Sequence, residues 1–445
     1  MVSKDIRIYL RVQEEMMGVK ALLASVGCML LAMMIYYGAL GILNVLNRPM
    51  PAGLTDAHKV RWLDALGRGA KGGSNVVHDW GLELGSEPIK FFLNTAFSFL
   101  FNPSFTQRVD LRGMVVSQDL YNGVPVSTYT PLALGQNLGC FPTVVYFHGG
   151  GWTWLSVGVY DGPLKHFANS TKFKIVAVEY RKAPQHPFPA AYDDCLAVTK
   201  YVINNARDLH VCNDMVVVAG DGAGGNLAAA VANEMSSLIR MQILINPALQ
   251  MMNFATPSYQ DFGKESLVPG ITSADKEITN WIRYGGLAPE LVPHLANNTH
   301  ISLHHYNFLS SYVDSEKRLP PDLGVTQKKT IHNSVHNKSL TSRIEELILD
   351  PRFCPMFASD VRHIAQTYVI TSQYDVLRDE GIMYAQRLKE SGVKVNLVHY
   401  WHGFHGFFLF AGGGWIQMEE SKKAMDDLVK YLHTNILRTT STVSI

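Results

Sequence analysis

The sequence predicts an α/β protein: a mostly parallel, doubly wound sheet with a helical cap, preceded by one transmembrane helix. Three observations predict it. From about Phe141 onward, short β-branched runs alternate with amphipathic stretches. One strand-to-helix junction, VVVAGDGAGGNLAAAV at Val216–Val231, is built on glycines. Near the N-terminus, the residues from Ala21 to Asn47 carry no charge.

The uncharged run would extend roughly 40 Å as a helix, enough to cross a bilayer core of about 30 Å. It is long for a cleavable signal, and twenty residues with mixed charges precede it. A signal anchor is expected at 21–47, after a short tail at 1–20. Basic residues flank both sides, with a slight excess before the span (Lys4, Arg7, Arg11, Lys20), which leans to a cytosolic N-terminus. Three glycosylation sequons follow the span, at Asn169, Asn297 and Asn337, and suit a lumenal catalytic part.

The strands come in order as TVVYFH (Thr143–His148), KIVAVEY (Lys174–Tyr180), MVVVAG (Met215–Gly220), MQILIN (Met241–Asn246), TYVITS (Thr367–Ser372) and VNLVHY (Val395–Tyr400). Continuous apolar runs of this kind suit parallel strands covered on both faces. Helices are expected at Ala190–Ala206, Asn226–Met235, Asp379–Ser391 and Trp415–Ile436. The third opens on acidic residues at the positive end of its dipole and stops before Gly392. Two segments break the alternation: 48–110, with a helix-like run at Pro88–Phe101, and 250–360, too long for plain loop. The expected organisation is an N-terminal cap segment at 48–110, a first core part at 111–249, a cap or lid insertion at 250–360, a second core part at 361–436 and a tail at 437–445. The two cap segments are expected over the carboxyl ends of the strands, where ligands bind.

Composition excludes some partners. The net charge is +1 and there are few basic runs, so nucleic acid is not an expected partner. No C-x-x-C or H-E-x-x-H spacing appears, and the HISLHHY run (His300–Tyr306) reads as a packed or solvated loop, so no metal and no cofactor is expected. Cys140, Cys195, Cys212 and Cys354 follow the span; they allow three full pairings or free thiols.

The chemistry-bearing residues fall in a telling order. HGGGW (His148–Trp152) follows the first predicted strand, where His148, Gly149, Gly150 and Gly151 form a loop whose N–H groups can stabilise an oxyanion. The glycine turn at Gly220–Gly224 follows the third. Asp375 ends the fifth, and His402 and His405 lie beyond the sixth. Elbow, acid, histidine is the chain order of a hydrolytic triad. The acid orients and charges the imidazole, and the imidazole takes the nucleophile's proton.

HGGGW, YRKAPQHPFPAAYDD, GDGAGGNLAAAV, YDVLRDEGIMYAQRL and GFHGF together resemble the hormone-sensitive-lipase branch of the α/β hydrolases, and within it the membrane-anchored arylacetamide deacetylase and neutral cholesterol ester hydrolase group. The likeness covers nearly all of 140–436, with TPSYQ (Thr256–Gln260) extending it into the cap. It implies an α/β-hydrolase fold and a type II protein of the endoplasmic reticulum membrane. The lumenal domain would hydrolyse lipophilic carboxylic esters or amides, with membrane lipid as a partner. It assigns Asp375 and His405 as acid and base, the latter by the GFHG pattern. It assigns Gly149, Gly150 and Ala223 as oxyanion donors and position 222 as the nucleophile.

The chain departs from the family pattern twice. The motif G-D-S-A-G-G is here Gly220-Asp221-Gly222-Ala223-Gly224-Gly225, so the serine is absent, and no Ser, Thr or Cys lies between Cys212 and Met235 to replace it. Thr153 and Ser372 stand where some members carry a cysteine pair, so that bridge cannot form. The expectation is a serine-type ester hydrolase that is strongly impaired or inactive, with a catalytically dead protein binding a lipophilic ligand as the alternative.

Overall fold

The computed structural model describes residues 36, 43, 50, 51, 53–64, 113–132, 139–263, 273–323, 338–414 and 416–437. By internal contact the chain divides into two compact units, Met1–Pro49 with Val60–Leu84, and Met50–Lys59 with Gly85–Ile445. The first contributes residues 36, 43 and 60–64 to the described set, all helical. The second holds the sheet and the site.

An eight-stranded sheet runs in the order β1-β2-β4-β3-β5-β6-β7-β8. Its strands are β1 (Met114–Tyr121), β2 (Val124–Pro131), β3 (Phe141–Phe147), β4 (Lys174–Val178), β5 (Val211–Asp221), β6 (Met241–Ile245), β7 (Gln366–Tyr374) and β8 (Val395–Phe404). β3 to β8 pair in parallel, while β1 and β2 pair antiparallel to each other and β2 pairs antiparallel to β4. All six predicted strands are present. Each of the five residues of β4 and of β6 is buried, as a sheet covered on both faces requires.

The β1–β2 hairpin was not predicted. Its signal is Asn122-Gly123, both at positive φ (52° and 81°), the backbone that a two-residue hairpin turn of matching twist demands. β1 is mostly exposed, so it lacks the continuous apolar run that marks the inner strands.

Helices connect and cover the sheet. They are α1 (Asp161–Thr171), α2 (Ala190–Asn204), α3 (Ala223–Glu234), α4 (Pro257–Phe262), α5 (Ala274–Tyr284), α6 (Val292–Ala296), α7 (Leu303–Leu309), α8 (Ser315–Arg318), α9 (Lys338–Leu349), α10 (Arg378–Glu390) and α11 (Glu419–Leu432). α10 carries Asp379 and Glu380 in its first turn, Arg387 and Lys389 in its last, and ends just before Gly392 at φ 85°. α11 begins four residues later than predicted: Asp56 accepts the Glu419 N–H at 2.8 Å, fixing the first turn there. α4 to α9 fill the stretch between β6 and β7.

Cys140, at the start of β3, is disulfide-bonded to Cys212, at the start of the adjacent β5. Cys195 and Cys354 are free and buried. The structure thus selects one pair from the pairings left open. The predicted anchor at 21–47 lies outside the described residues apart from Tyr36 and Leu43, as does most of 48–110 with its run at 88–101, and all of the tail beyond residue 437. Among the described residues no helix is long and apolar enough to cross a membrane.

Candidate active site

The carboxyl ends of five neighbouring strands carry the site. β3 leads into His148–Trp152, β5 into Gly222, β6 into Asn246, β7 into Asp375 and β8 into His405.

The elbow is held by backbone. Gly222 sits between β5 and α3 at φ 52°, ψ −116°, a conformation that a side chain makes costly. Its N–H donates to Ile245 O at 2.9 Å, and its carbonyl accepts from Ala248 N and Asn226 N, each at 3.1 Å. The turn is tight because Gly224 packs on the end of β3; a Cβ there would come within 2.0 Å of Phe147 O. At Gly222 a Cβ would clash with nothing described. Among the described residues beyond its chain neighbours, a Cβ would meet only His405, at 3.4 Å from Nε2 and 3.5 Å from Cε1, ordinary contact distances.

Asp375 is fully buried, and its Oδ1 lies 3.0 Å from His405 Nδ1. The Leu377 N–H also donates to Oδ1, at 2.9 Å. Oδ2 accepts from the Asn246 side-chain amide, which donates to Ser372 Oγ as well, at 2.6 Å. Burial pulls the His405 imidazole down, but the charge and hydrogen bond of Asp375, with Glu277 and Asp221 behind them, raise it to about 9. His402 takes no part in this pairing; its Nδ1 donates to Gly53 O at 2.6 Å.

The glycine loop requires a correction. Gly149 was expected to be an oxyanion donor, but its N–H donates to Asp221 Oδ1 at 3.0 Å and to Tyr160 Oη at 3.1 Å. It is therefore committed to holding the loop onto the elbow. Asp221 is buried and also accepts from Tyr146 Oη at 2.9 Å and Tyr160 Oη at 2.7 Å. Burial pushes its carboxyl up against these stabilising bonds. Bound on that side, it cannot stand in for the missing nucleophile. The Gly150 and Gly151 N–H groups meet no acceptor among the described residues. With Ala223 N–H, first of the orphan donors of α3, they are the donors available to a ligand. His148 is structural here: burial lowers it to about 4, its neutral ring stacks on Tyr180 at 4.4 Å, and its Nδ1–H donates to Gly149 O at 2.7 Å.

α5 lies against this loop. Ser273 caps it, and Glu277, Asn280, Trp281 and Tyr284 form one buried face at helical spacing. Asn280 packs directly on Gly151, where a Cβ would fall 2.2 Å from Nδ2. Trp281 and Tyr284 pack on Trp152 with ring centroids 4.6 and 4.4 Å apart. Sequence reasoning missed Asn246, Glu277 and Asn280. The Ser273 cap and the Gly285-Gly286 stop were the available signals for α5; nothing local marks Asn246 as a partner of Asp375.

Other predicted residues lie apart from the site. Asn169 and Asn297 are exposed, and Asn337 lies outside the described residues. His300 is buried, with Nε2 donating to Met251 O at 2.8 Å, and His305 pairs with Glu345 at 3.0 Å. Among the described residues no group of three potential ligands could hold a metal ion.

The arrangement can bind a carbonyl or carboxyl oxygen on N–H groups and move a proton at His405 Nε2. It has no side chain at position 222 to attack.

Comparison with known proteins agrees with this geometry. The alpha/beta hydrolase fold family matches residues 144–283 and 285–409. Neutral cholesterol ester hydrolase 1 of Rattus norvegicus is 32% identical over 87% of this chain and 95% of its own length. Arylacetamide deacetylase of Bos taurus is 32% identical over 73% of this chain and 80% of its own. Among solved structures, an esterase of Pyrobaculum calidifontis is 25% identical with a TM-score of 0.57, covering 79% of this chain and 93% of that one. A bacterial heroin esterase at 22% identity and a TM-score of 0.56 shares the fold over 78% of this chain and 91% of its own.

Proposed function

This chain belongs to the hormone-sensitive-lipase-like branch of the α/β-hydrolase family, and from that premise we propose that it is a carboxylic ester hydrolase by descent, disarmed at position 222. The observation that carries this is the fit at position 222: a Cβ would stand in ordinary contact 3.4 Å from His405 Nε2, while Asp375, Asn246 and the glycine loop remain assembled around it. Deleting a triad serine costs roughly 10⁶ in kcat, about 8 kcal/mol of transition-state stabilisation. The relatives' names point to lipophilic esters and aryl amides as the substrate class, with Gly150, Gly151 and Ala223 N–H as the oxyanion donors.

We also propose a single-pass type II anchor at 21–47 in the endoplasmic reticulum membrane, with the catalytic part lumenal. The Cys140–Cys212 disulfide suits an oxidising compartment. The exposed Asn169 and Asn297 sequons are in position for glycans.

The test is hydrolysis of a short-chain p-nitrophenyl ester by the natural chain and by Gly222→Ser. The reading requires turnover and fluorophosphonate labelling in the serine form alone. Failure of both forms to turn over would move the function to ligand binding, a second reading favoured by the left-handed φ that glycine relieves at position 222.

A further inference from the structure

The Cys140–Cys212 disulfide joins the amino ends of β3 and β5, the end of the sheet away from the glycine loop and the elbow. Its two cysteines differ in access. Cys212 is 3% exposed, while Cys140 is half-buried and lies on the wall of a cavity of about 660 Å³. That volume falls in the range of small-molecule sites, roughly 300–1,000 Å³. Arg207, Asp208 and His210 supply the polar walls, and Cys212 lines none of it. Arg207 and Asp208 are exposed, and their side chains form no ion pair among the described residues.

We propose that this cavity is a thiol-exchange site, at which a zwitterionic thiol peptide of the glutathione class forms a mixed disulfide with Cys140. A thiolate displaces one sulfur of a disulfide along the S–S axis, so the sulfur it can reach decides the product. The incoming sulfur bonds Cys140 Sγ and the Sγ–Sγ bond breaks. Its electron pair leaves on Cys212 Sγ, which takes up the proton that the entering thiol gave up. Arg207 is the partner for a peptide carboxylate, and Asp208 for its ammonium group.

The backbone lets the bond open without undoing the sheet. β3 and β5 pair Phe141 with Val211 and next Thr143 with Val216, so β5 carries extra residues between these two rungs, Cys212 among them. From Thr143 to Phe147 the ladder continues without the disulfide. The Phe141 N–H donates to His210 O at 2.7 Å, which holds the cavity wall against the start of β3. Cys195 and Cys354, free and buried, lie outside the cavity. No residue of the hydrolase site takes part, so the exchange stands apart from that reading.

The test exposes the purified, oxidised full-length chain to reduced glutathione, traps the products with N-ethylmaleimide at intervals and maps them by mass spectrometry. Glutathione is expected on Cys140 and maleimide on Cys212, in about tenfold or greater excess over the converse pattern. Cys195 and Cys354 are expected to stay unmodified. Arg207→Ala is expected to slow glutathione about threefold to tenfold and to leave 2-mercaptoethanol, which offers no charge, unchanged. Cys212→Ser, which leaves Cys140 as a thiol, is expected to take up oxidised glutathione, and Cys140→Ser is not. Adducts shared equally by the two cysteines, adducts on Cys212 alone, or no exchange by the folded chain overturn the proposal. Slowing of both thiols alike by Arg207→Ala, or of neither, overturns the recognition of a peptide.

Discussion

Asn246 donates its side-chain amide to Asp375 Oδ2, the oxygen that His405 leaves free. Asn246 lies at the end of β6 with φ 44°, and its own N–H is bound to Ile370 O at 2.8 Å, so its side chain is aimed by a fixed backbone. The acid is thus clamped from both sides. In the Gly222→Ser background, Asn246→Ala is expected to lower kcat by about tenfold to a hundredfold, the loss of one buried bond to a charged group. KM should change little, because Asn246 touches Asp375 and not the ligand space. A pH–rate profile should show the acidic limb moved, because His405 must lose its proton to act as base, and a merely structural loss would not produce that shift.

His405 sets a pH dependence of stability. Its folded value, about 9, exceeds its ordinary 6.5. Its contribution is therefore full below about pH 6.5 and is lost as the pH rises through about 9, amounting to roughly 3 kcal/mol at most. Denaturant melts across this window should show a decline that His405→Gln flattens. An equally steep decline in the variant would assign the effect to another group.

Restoring the nucleophile should cost stability. Gly222 holds φ 52° with two carbonyl contacts and one N–H contact pinning it, so Gly222→Ser is expected to lose about 1 kcal/mol. Thermal melts of the two forms decide this; a higher Tm for the serine form would refute it.

Gly151→Ala tests the contact between the loop and α5. Gly151 has φ 58°, and its Cβ would fall on the Asn280 side chain. The loss should be about 1–3 kcal/mol from strain and overpacking together, and Asn280→Ala should recover the steric part alone. Recovery to the full natural Tm would show that the backbone conformation costs nothing.

Cys140 and Cys212 close a loop of 72 residues between adjacent strands. Cys140→Ser is expected to destabilise by about 2–4 kcal/mol. Equal urea midpoints under oxidising and reducing conditions would show that the bond contributes nothing to the folded state.

The sequence alone determined the frame. Six parallel strands announced themselves because strands covered on both faces must be apolar throughout, as at Lys174–Val178 and Met241–Ile245. The elbow, acid and histidine were legible because each follows a strand at the same end of the sheet, and chain order preserves that. The missing serine needed no structure at all. Tertiary structure decided the rest, because the rest depends on contacts between residues far apart in the chain. Whether Gly149 could serve as an oxyanion donor turned on Asp221 and Tyr160 reaching it. The clamp on Asp375 came from Asn246, 129 positions away. The α5 face bearing Glu277 and Asn280 acquired meaning only when packed on Gly151 and beside His405. Local pattern determines which backbone a segment adopts; which donor remains free for a ligand is a property of the packed neighbours.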